Sequence, residues 1–541
     1  METGKSSSGG ISRRAFLKTG AAVAGTAVLA GSLDPGLAVR SWAASPSKRL
    51  SASLTFQQSY PSPGYVDGWK RVAQAYRSVQ PGVKITFHNV PYPDTTLVQT
   101  ELVGGTAPEI IFDEPGLNAF AVRGLFTALD SYLGKVSPYT GRRWIADFKQ
   151  PYLDQSRATD GKLYMLPWAL FGVGMFYNKT QFDRLHLQPP TIWNQWMAVN
   201  AALKKAGLTP QIVAVSSTDA QTLWPLGQMV PALLRPKSQQ IHLKATMKGW
   251  KYNYRDPRSV IAQNATIDEL YVAFLKGLID PAKAPEFKVA YQLMKQDSHF
   301  WEPGFLSYNG NDVYTAFSGG QSMQFMNGTW FIPTLEGTLK AFKALGQTNK
   351  VFQPGAFPYP TITPENTPLL KMGGINQNNG PRNGFWIPRH LSPDKLAAAI
   401  DFLQFLTAPK NVALAYGVVV NTEQTVAGKK LMTKVPAIGD PPAIKGVPYR
   451  IAGGAFQALT PRQVYADLGG PSPISYDTQS FNEFMAAWQQ YLGGNMAIDA
   501  FLHQVSQSHL KALERVLRQQ ASTVDWNFVN SQLKGIPHIS H

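Results

Sequence analysis

The sequence predicts an α/β fold built on a parallel sheet and divided into at least two lobes. Three observations carry this reading. Strand and helix patterns alternate from Ser53 to Phe112, the rhythm of a parallel sheet covered by helices. Ile110-Ile111-Phe112 is a continuous apolar run, as in strands buried on both faces. The chain is also long: cleavage of a leader after Ala43 would leave 498 of its 541 residues, more than one core usually holds.

The leader comes first. Arg13-Arg14 stands in the run Ser12 to Lys18, an apolar stretch follows from Thr19 to Leu33, and Ser41-Trp42-Ala43 before Ala44 puts small residues at the two positions a signal peptidase reads. This is the pattern of a twin-arginine secretory signal over 1–43. A transmembrane anchor is the alternative, but a span needs about 20 apolar residues, and Gly20, Gly25, Gly31 and Asp34 interrupt this one. The expected location is therefore outside the cytoplasm, in the periplasm or at the exterior of the cell envelope.

Residues 44–50 read as a linker, and Ser53–Phe56 as a strand ending in the polar loop Gln57-Gln58-Ser59-Tyr60. Trp69, Val72, Ala73, Tyr76 and Val79 recur at helical spacing until Pro81-Gly82 stops the helix. Lys84–Asn89 alternates as a second strand, Leu97–Val103 is a short helix closed by Gly104-Gly105, and Ile110–Phe112 is the third strand. Ser392-Pro393 opens a helix as N-cap and first helical residue, with Leu396, Ile400, Leu403 and Leu406 as its buried stripe. Another helix runs from near Pro409 to Gly417. The stripes Phe481–Leu492 and Phe501–Leu517 mark two more, with His503 and His509 expected on a surface helix. The Pro- and Gly-rich patches 353–363 and 370–384 read as crossings or loops between lobes.

Composition excludes much chemistry. There is no cysteine, hence no disulfide, thiolate zinc site, iron–sulfur cluster, cysteine nucleophile or cysteine-linked lipid anchor. Gly320-Gln321-Ser322 lacks the second glycine of a nucleophile elbow. No His-Glu-x-x-His, complete phosphate loop or dinucleotide fingerprint occurs, so neither metal nor cofactor is expected. A pair of carboxylates for glycoside hydrolysis stays open, because folding can bring together any two of the 34 Asp and Glu. The net formal charge is +17, and the leader's five basic and two acidic residues leave +14 beyond it. The densest positive run is Arg235 to Arg258, with Lys237, Lys244, Lys248, Lys251 and Arg255. It reads as a solvated surface segment, although envelope polyanions would attract it.

A series of blocks carries more than any single motif. Gly104-Gly105-Thr106-Ala107-Pro108-Glu109-Ile110-Ile111-Phe112 precedes Gly124-Leu125-Phe126 and Leu129-Asp130. Asp160-Gly161-Lys162-Leu163-Tyr164-Met165-Leu166-Pro167-Trp168, Met175-Phe176-Tyr177-Asn178-Lys179 and Pro189–Trp193 follow. Ala316–Met323 with Asn327-Gly328-Thr329-Trp330, and Gly384-Phe385-Trp386-Ile387-Pro388 before the helix at 399–406, complete the order. From about Ser51 to about Arg518 this order resembles the family 1 extracellular solute-binding proteins of ABC importers, which include maltose- and multiple-sugar-binding proteins. Two departures stand out: Pro108-Glu109-Ile110 where the family usually has Pro-Asp-Ile, and apparent insertions near 235–265 and 374–383.

The resemblance implies a two-lobed periplasmic-binding-protein fold, type II-like, with a hinge and a central ligand cleft. It places 51–171 with 369–425 in the N-terminal lobe, 172–368 with 426–520 in the C-terminal lobe, and 521–541 in a tail. It implies a monomer that binds a carbohydrate without catalysis, takes no cofactor, contacts no nucleic acid and delivers to the membrane permease of an ABC importer. Trp330 aligns with a sugar-stacking aromatic of the family, and core packing is its alternative. Trp168 and Phe171 sit at the first crossing between lobes. Ligands of open α/β sheets lie beyond the carboxyl ends of strands, which points to Gln57 and Gln58 and to Asp113 and Glu114. Loop glutamines are often merely solvated, and capping of a helix over Leu117–Arg123 is the alternative role for either acid. A glycerophosphodiester or polyamine ligand on the same fold, and an exported carbohydrate-active enzyme, are the rival readings.

Overall fold

The computed structural model describes residues 49–59, 64–91, 95–113, 117–158, 160–216, 221–243, 265–370, 378–426, 428–436, 438–449, 455–459, 478–521 and 524–540. Contacts divide the chain into Met1–Ser45 and Pro46–His541, and every described residue lies in the second unit. The leader, Glu114 and the basic residues Lys244 to Arg258 lie outside the described residues.

The α/β reading holds, with a mixed rather than a parallel sheet. Strands β1 (Ala52–Gln58), β2 (Val83–Asn89) and β3 (Ile110–Asp113) are parallel, and helices α1 (Tyr65–Tyr76) and α2 (Thr95–Val103) connect them. β4 (Leu166–Asn178) follows, then helix α3 (Trp193–Lys205), the short β5 (Gln211–Ile212), helix α4 (Leu223–Leu234) and β6 (Gln324–Gly328). Helix α5 (Ile332–Ala344), β7 (Pro354–Phe357) and β8 (Asn378–Trp386) come next. Helices α6 (Pro393–Leu406) and α7 (Pro409–Tyr416), the hairpin β9 (Val419–Val426) and β10 (Lys429–Pro436), and helices α8 (Thr478–Leu492) and α9 (Ile498–Gln519) complete the main elements. The eight-stranded sheet runs β2-β1-β3-β8-β4-β6-β5, with β7 also on β4.

β8 is antiparallel to both of its neighbours, pairing Asp113 with Gly384 and Val173 with Asn378. The first half of β4 pairs with β8, while its second half pairs with β6 and β7. One buried cluster joins β1, α1 and β3 to Leu166–Leu170, Phe385 and helices α6 and α7. Another begins at Val173 and gathers α3, α4, α8 and α9. The division between the two clusters therefore falls within β4, between Leu170 and Val173.

Several local expectations change. β1 extends through Gln58, so Gln57 and Gln58 are strand residues rather than a loop. Pairing with β2 continues to Gln58↔Asn89, and pairing with β3 to Gln58↔Phe112. The patch 353–363 contains β7. His509 is 2 % exposed on α9 rather than at the surface, and Arg235 is 3 % exposed rather than solvated. Lys237 pairs with Glu286 at 2.7 Å. Beyond residue 520, the helix Trp526–Gln532 brings Val529 and Leu533 into the second cluster.

Glu109, the residue that departs from the family block, has a specific structural use. Its carboxylate accepts from the Thr55 backbone N–H at 2.6 Å and from Lys395 Nζ at 2.6 Å. Burial pushes its pKa up, but these donors outweigh burial and hold it below the usual carboxylate value. The longer side chain thus ties β3 to β1 and to α6.

Asp297 behaves in the opposite way. Its carboxylate accepts from Trp196 Nε1 at 2.8 Å, Gln211 Nε2 at 2.7 Å and Trp301 Nε1 at 2.9 Å. Burial outweighs the three donors and pushes its pKa up from 3.8 to about 6. The folded chain then holds this proton more tightly than the unfolded chain does, so its contribution to stability grows as pH falls through about 6 and is complete near 4. In urea unfolding, the stability of wild type relative to Asp297→Asn should rise by roughly 2 kcal/mol between about pH 7 and pH 4.5. A difference that does not change with pH would mean that Asp297 holds no such proton.

Candidate functional site

The carboxyl ends of β1, β3 and β6 meet along the pair formed by β4 and β8. On the β6 side the strand ends at Gly328 and turns directly into Thr329 and Trp330. Gly328 has φ −106°, which any residue adopts, so its glycine is not required by the backbone. It is required by the indole: a Cβ here would lie 1.9–2.4 Å from three ring atoms of Trp330. The Trp330 ring therefore lies back over Gly328. It meets Trp224 edge to face, with centroids 5.7 Å apart and planes at 69°. Both rings are half-buried and keep accessible surface.

Phe171 is also half-buried and lies next to this turn. It pairs with Gly380 in the β4–β8 register, and the following Gly172 N–H donates to Thr329 Oγ1 at 3.4 Å. A Cβ on Gly172 would come within 1.8 Å of the Leu459 carbonyl oxygen, so this glycine lets the segment 455–459 lie directly on β4. Partly exposed aromatics beside a sheet edge suit a sugar, whose C–H faces stack on rings.

The other expected residues divide into two sets. Trp168 is fully buried, and its ring sits among Trp69 at 6.2 Å, Phe385 at 5.6 Å and Tyr416 at 5.9 Å. It presents no open face and supports the first cluster. Gln57 is 1 % exposed and donates from Nε2 to Glu101 Oε2 at 3.0 Å, which fastens β1 to α2. Gln58 lies on the opposite face, which it shares with Phe56. Its Nε2 donates to Asn89 Oδ1 at 3.0 Å, while its Oε1 has no hydrogen-bond partner. Asp113 is the last residue of β3 and is 8 % exposed. Its carbonyl oxygen accepts from Trp386 Nε1 at 3.3 Å.

Two residues without a sequence signal stand on the crossing strand β8 and on the neighbouring strand β6. The side-chain amide of Asn383 in β8 is fully buried with neither atom partnered, and Asn327 Nδ2 in β6 is likewise unpartnered. Native proteins leave few buried polar atoms in this condition. Among the described residues no cluster of His, Asp and Glu is arranged to hold a metal ion. No described helix is long and apolar enough to cross a membrane.

Residues 62–413 match the model of the bacterial extracellular solute-binding protein family. The chain belongs to this family. It is a family of binding proteins that act outside the cytoplasm. This solute-binding protein is 22 % identical over 292 residues to a multiple sugar-binding protein of Streptococcus mutans, an alignment covering 54 % of this chain and 58 % of that protein. The chain thus matches less than two thirds of that relative's length. Among solved structures it resembles a chitin oligosaccharide binding protein, with TM-score 0.57 and 18 % identity over 86 % of this chain and 99 % of that one. It also resembles the solute-binding protein RafE in complex with raffinose, with TM-score 0.51 and 17 % identity over 85 % of this chain and 100 % of that one. The fold is accordingly the two-lobed one with a hinge and a central cleft.

The close approach at Gly328 gives a local test of the aromatic pair. Gly328→Ala should leave the protein folded but move the Trp330 ring off its seat. The change would be read as an altered near-ultraviolet circular dichroism spectrum with an unchanged far-ultraviolet one. Two unchanged spectra would mean that the ring does not rest on Gly328.

Proposed function

We propose that the protein is the extracytoplasmic receptor of an ABC importer, that it binds a carbohydrate of oligosaccharide size, and that it passes this ligand to a membrane permease without changing it chemically. The observation that carries this reading is the partly exposed set Phe171, Trp224 and Trp330 at the carboxyl edge of β6, beside the crossing strands. Opposite stand Gln58 and Asp113, with Glu114 next in the chain, to hydrogen-bond hydroxyls. Buried amides without partners, as in Asn383, cost on the order of 1–3 kcal/mol each, and parting of the lobes would expose them to water or to ligand. Relatives named for multiple sugars, chitin oligosaccharide and raffinose support the same class of solute.

In this reading the first lobe holds 51–171 and 369–425, and the second 172–368 and 426–520, with Val435 to Ile444 crossing back to pack against the first. The protein works as a monomer after export by the twin-arginine route. The positive charge beyond the leader supports one alternative, an anionic solute such as a glycerophosphodiester, whose binding would weaken steeply with salt.

The test is thermal unfolding of residues 44–541 against mono-, di- and oligosaccharides, glycerophosphodiesters and polyamines. Specific binding raises the midpoint with ligand concentration. A shift with one saccharide class is expected, and a shift with charged solutes alone would replace the substrate. Trp330→Ala and Trp224→Ala should each weaken the binding saccharide at least tenfold, about 1.4 kcal/mol, at unchanged fold. Unchanged affinity in isothermal titration would remove the residue from the site.

A further inference from the structure

Between the hairpin β9–β10 and residue 444 the chain straps the first cluster to α5, whose Ile332, Leu335 and Leu339 pack in a separate buried cluster with Phe325 and Phe331. Val420, Val435, Ile438, Ala443 and Ile444 belong to the first cluster. The same hairpin lies on α5, the helix that follows Trp330. Thr338 Oγ1 donates to Gln424 Oε1 at 3.2 Å, and Lys340 Nζ donates to the Lys434 carbonyl at 2.8 Å. Further on, the strap follows β4: Leu170 N–H donates to the Pro441 carbonyl at 2.7 Å, and Ala443 N–H to the Trp168 carbonyl at 2.9 Å. At its centre is Asp440, with no exposed surface. Its Oδ2 accepts from the Tyr65 hydroxyl at 2.9 Å, and its Oδ1 accepts from Thr329 Oγ1 at 2.6 Å.

These two donors stand on different sides of the crossing: Tyr65 packs in the first cluster, whereas Thr329 follows β6, which pairs with the second half of β4. Tyr65 begins α1 in the first, and its ring packs at 5.4 Å from Trp69 and 5.6 Å from Phe112. Thr329 follows the last residue of β6, receives the Gly172 N–H of the crossing strand and immediately precedes Trp330. Burying a carboxylate is costly, and neutral side chains could fill the same space. Tyr416 and Tyr449 are close enough to register the charge: burial raises both phenols, and Asp440 raises them further. A carboxyl group here, with one oxygen bonded to each side, is placed to fix the angle between the two sides.

We propose that Asp440 is a positioning residue of the hinge, whose carboxylate couples the first-lobe helix α1 to the turn bearing Trp330 and so sets the opening of the lobes and the height of the aromatic platform. The proposal rests on the reading of the chain as a hinged receptor, but not on the identity of its solute. Both arms end on the same carboxyl group, so cutting either should release the same coupling.

The test uses the unliganded protein. With no native cysteine, Arg77→Cys and Lys205→Cys place one spin label on each side, and pulsed electron resonance reads the distribution of distances between them. Asp440→Ala is the direct variant, but an emptied buried site can prevent folding. Tyr65→Phe and Thr329→Val each remove one hydroxyl and keep the shape. Each single variant should shift the distribution to longer distances and broaden it, and the double variant should go no further than either single one. A distribution unchanged from wild type, even with a lowered unfolding midpoint, would overturn the proposal and leave Asp440 a packing residue. Additive shifts would also overturn it, because independent arms are not coupled through one carboxylate. Because no sugar is present, failure of the carbohydrate reading would leave this result intact, and the reverse also holds.

Discussion

Two hydrophobic cores share one strand. The thirteen residues of β4 are paired with β8 up to Val173 and with β6 and β7 from Val173 onward, so the same backbone belongs to two packed bodies. A strand in this position must be apolar on both faces and yet let other chain segments approach closely, and Gly172 with the Leu459 carbonyl shows how that demand is met. Since β8 enters from the opposite direction, the first body acquires an antiparallel strand in an otherwise parallel sheet. Relative movement of the bodies has to pass through this pair and through the strap that follows it. Hinges of this kind concentrate their backbone changes in a few residues.

The placement of the site follows from this constraint. Parallel strands leave their carboxyl ends at a common edge, and crossing strands bring the edges of the two bodies opposite one another. Phe171, Trp224 and Trp330 collect on one side of that edge, while Gln58 and Asp113 end strands on the other. Charge plays a lesser part. Three buried carboxyl groups serve the frame: Glu109 joins strands and helix, Asp297 gathers two indoles and an amide, and Asp440 reaches across the crossing. A receptor that binds neutral, hydroxyl-rich solutes has little need of charge in its cleft, and these three groups act on the frame instead.

Local signals were legible in the sequence, whereas tertiary ones were not. Ser392-Pro393 and Gly417 marked the limits of α6 and α7 to within a residue, because caps and helix stops are local chemistry. The three parallel strands were readable from alternation and from the apolar run at Ile110. β4, β6 and β7 were not: burial on both faces removes alternation, and the glycines that permit close approach also read as loop signals. Trp330 was found through the resemblance in its block. Trp224 was hidden in Leu223-Trp224-Pro225-Leu226, where nothing distinguishes a platform from a core residue. Trp168 shows the converse, an aromatic at a crossing whose neighbours make it core. Asp440 sits in Gly439-Asp440-Pro441-Pro442, an ordinary turn in sequence. Its meaning comes from partners 375 and 111 residues away.

The central claim is that one saccharide class is held between the two strand edges beside the crossing pair. Hydrogen exchange of the mature chain, measured with and without the saccharide that stabilises it, tests this most directly. The account predicts slowed exchange on binding at residues 222–226, at 328–331 and along both crossing strands, with little change on the outer helices α3 and α6. Protection confined to the outer helices, or binding that leaves both strand edges unaffected, would contradict it.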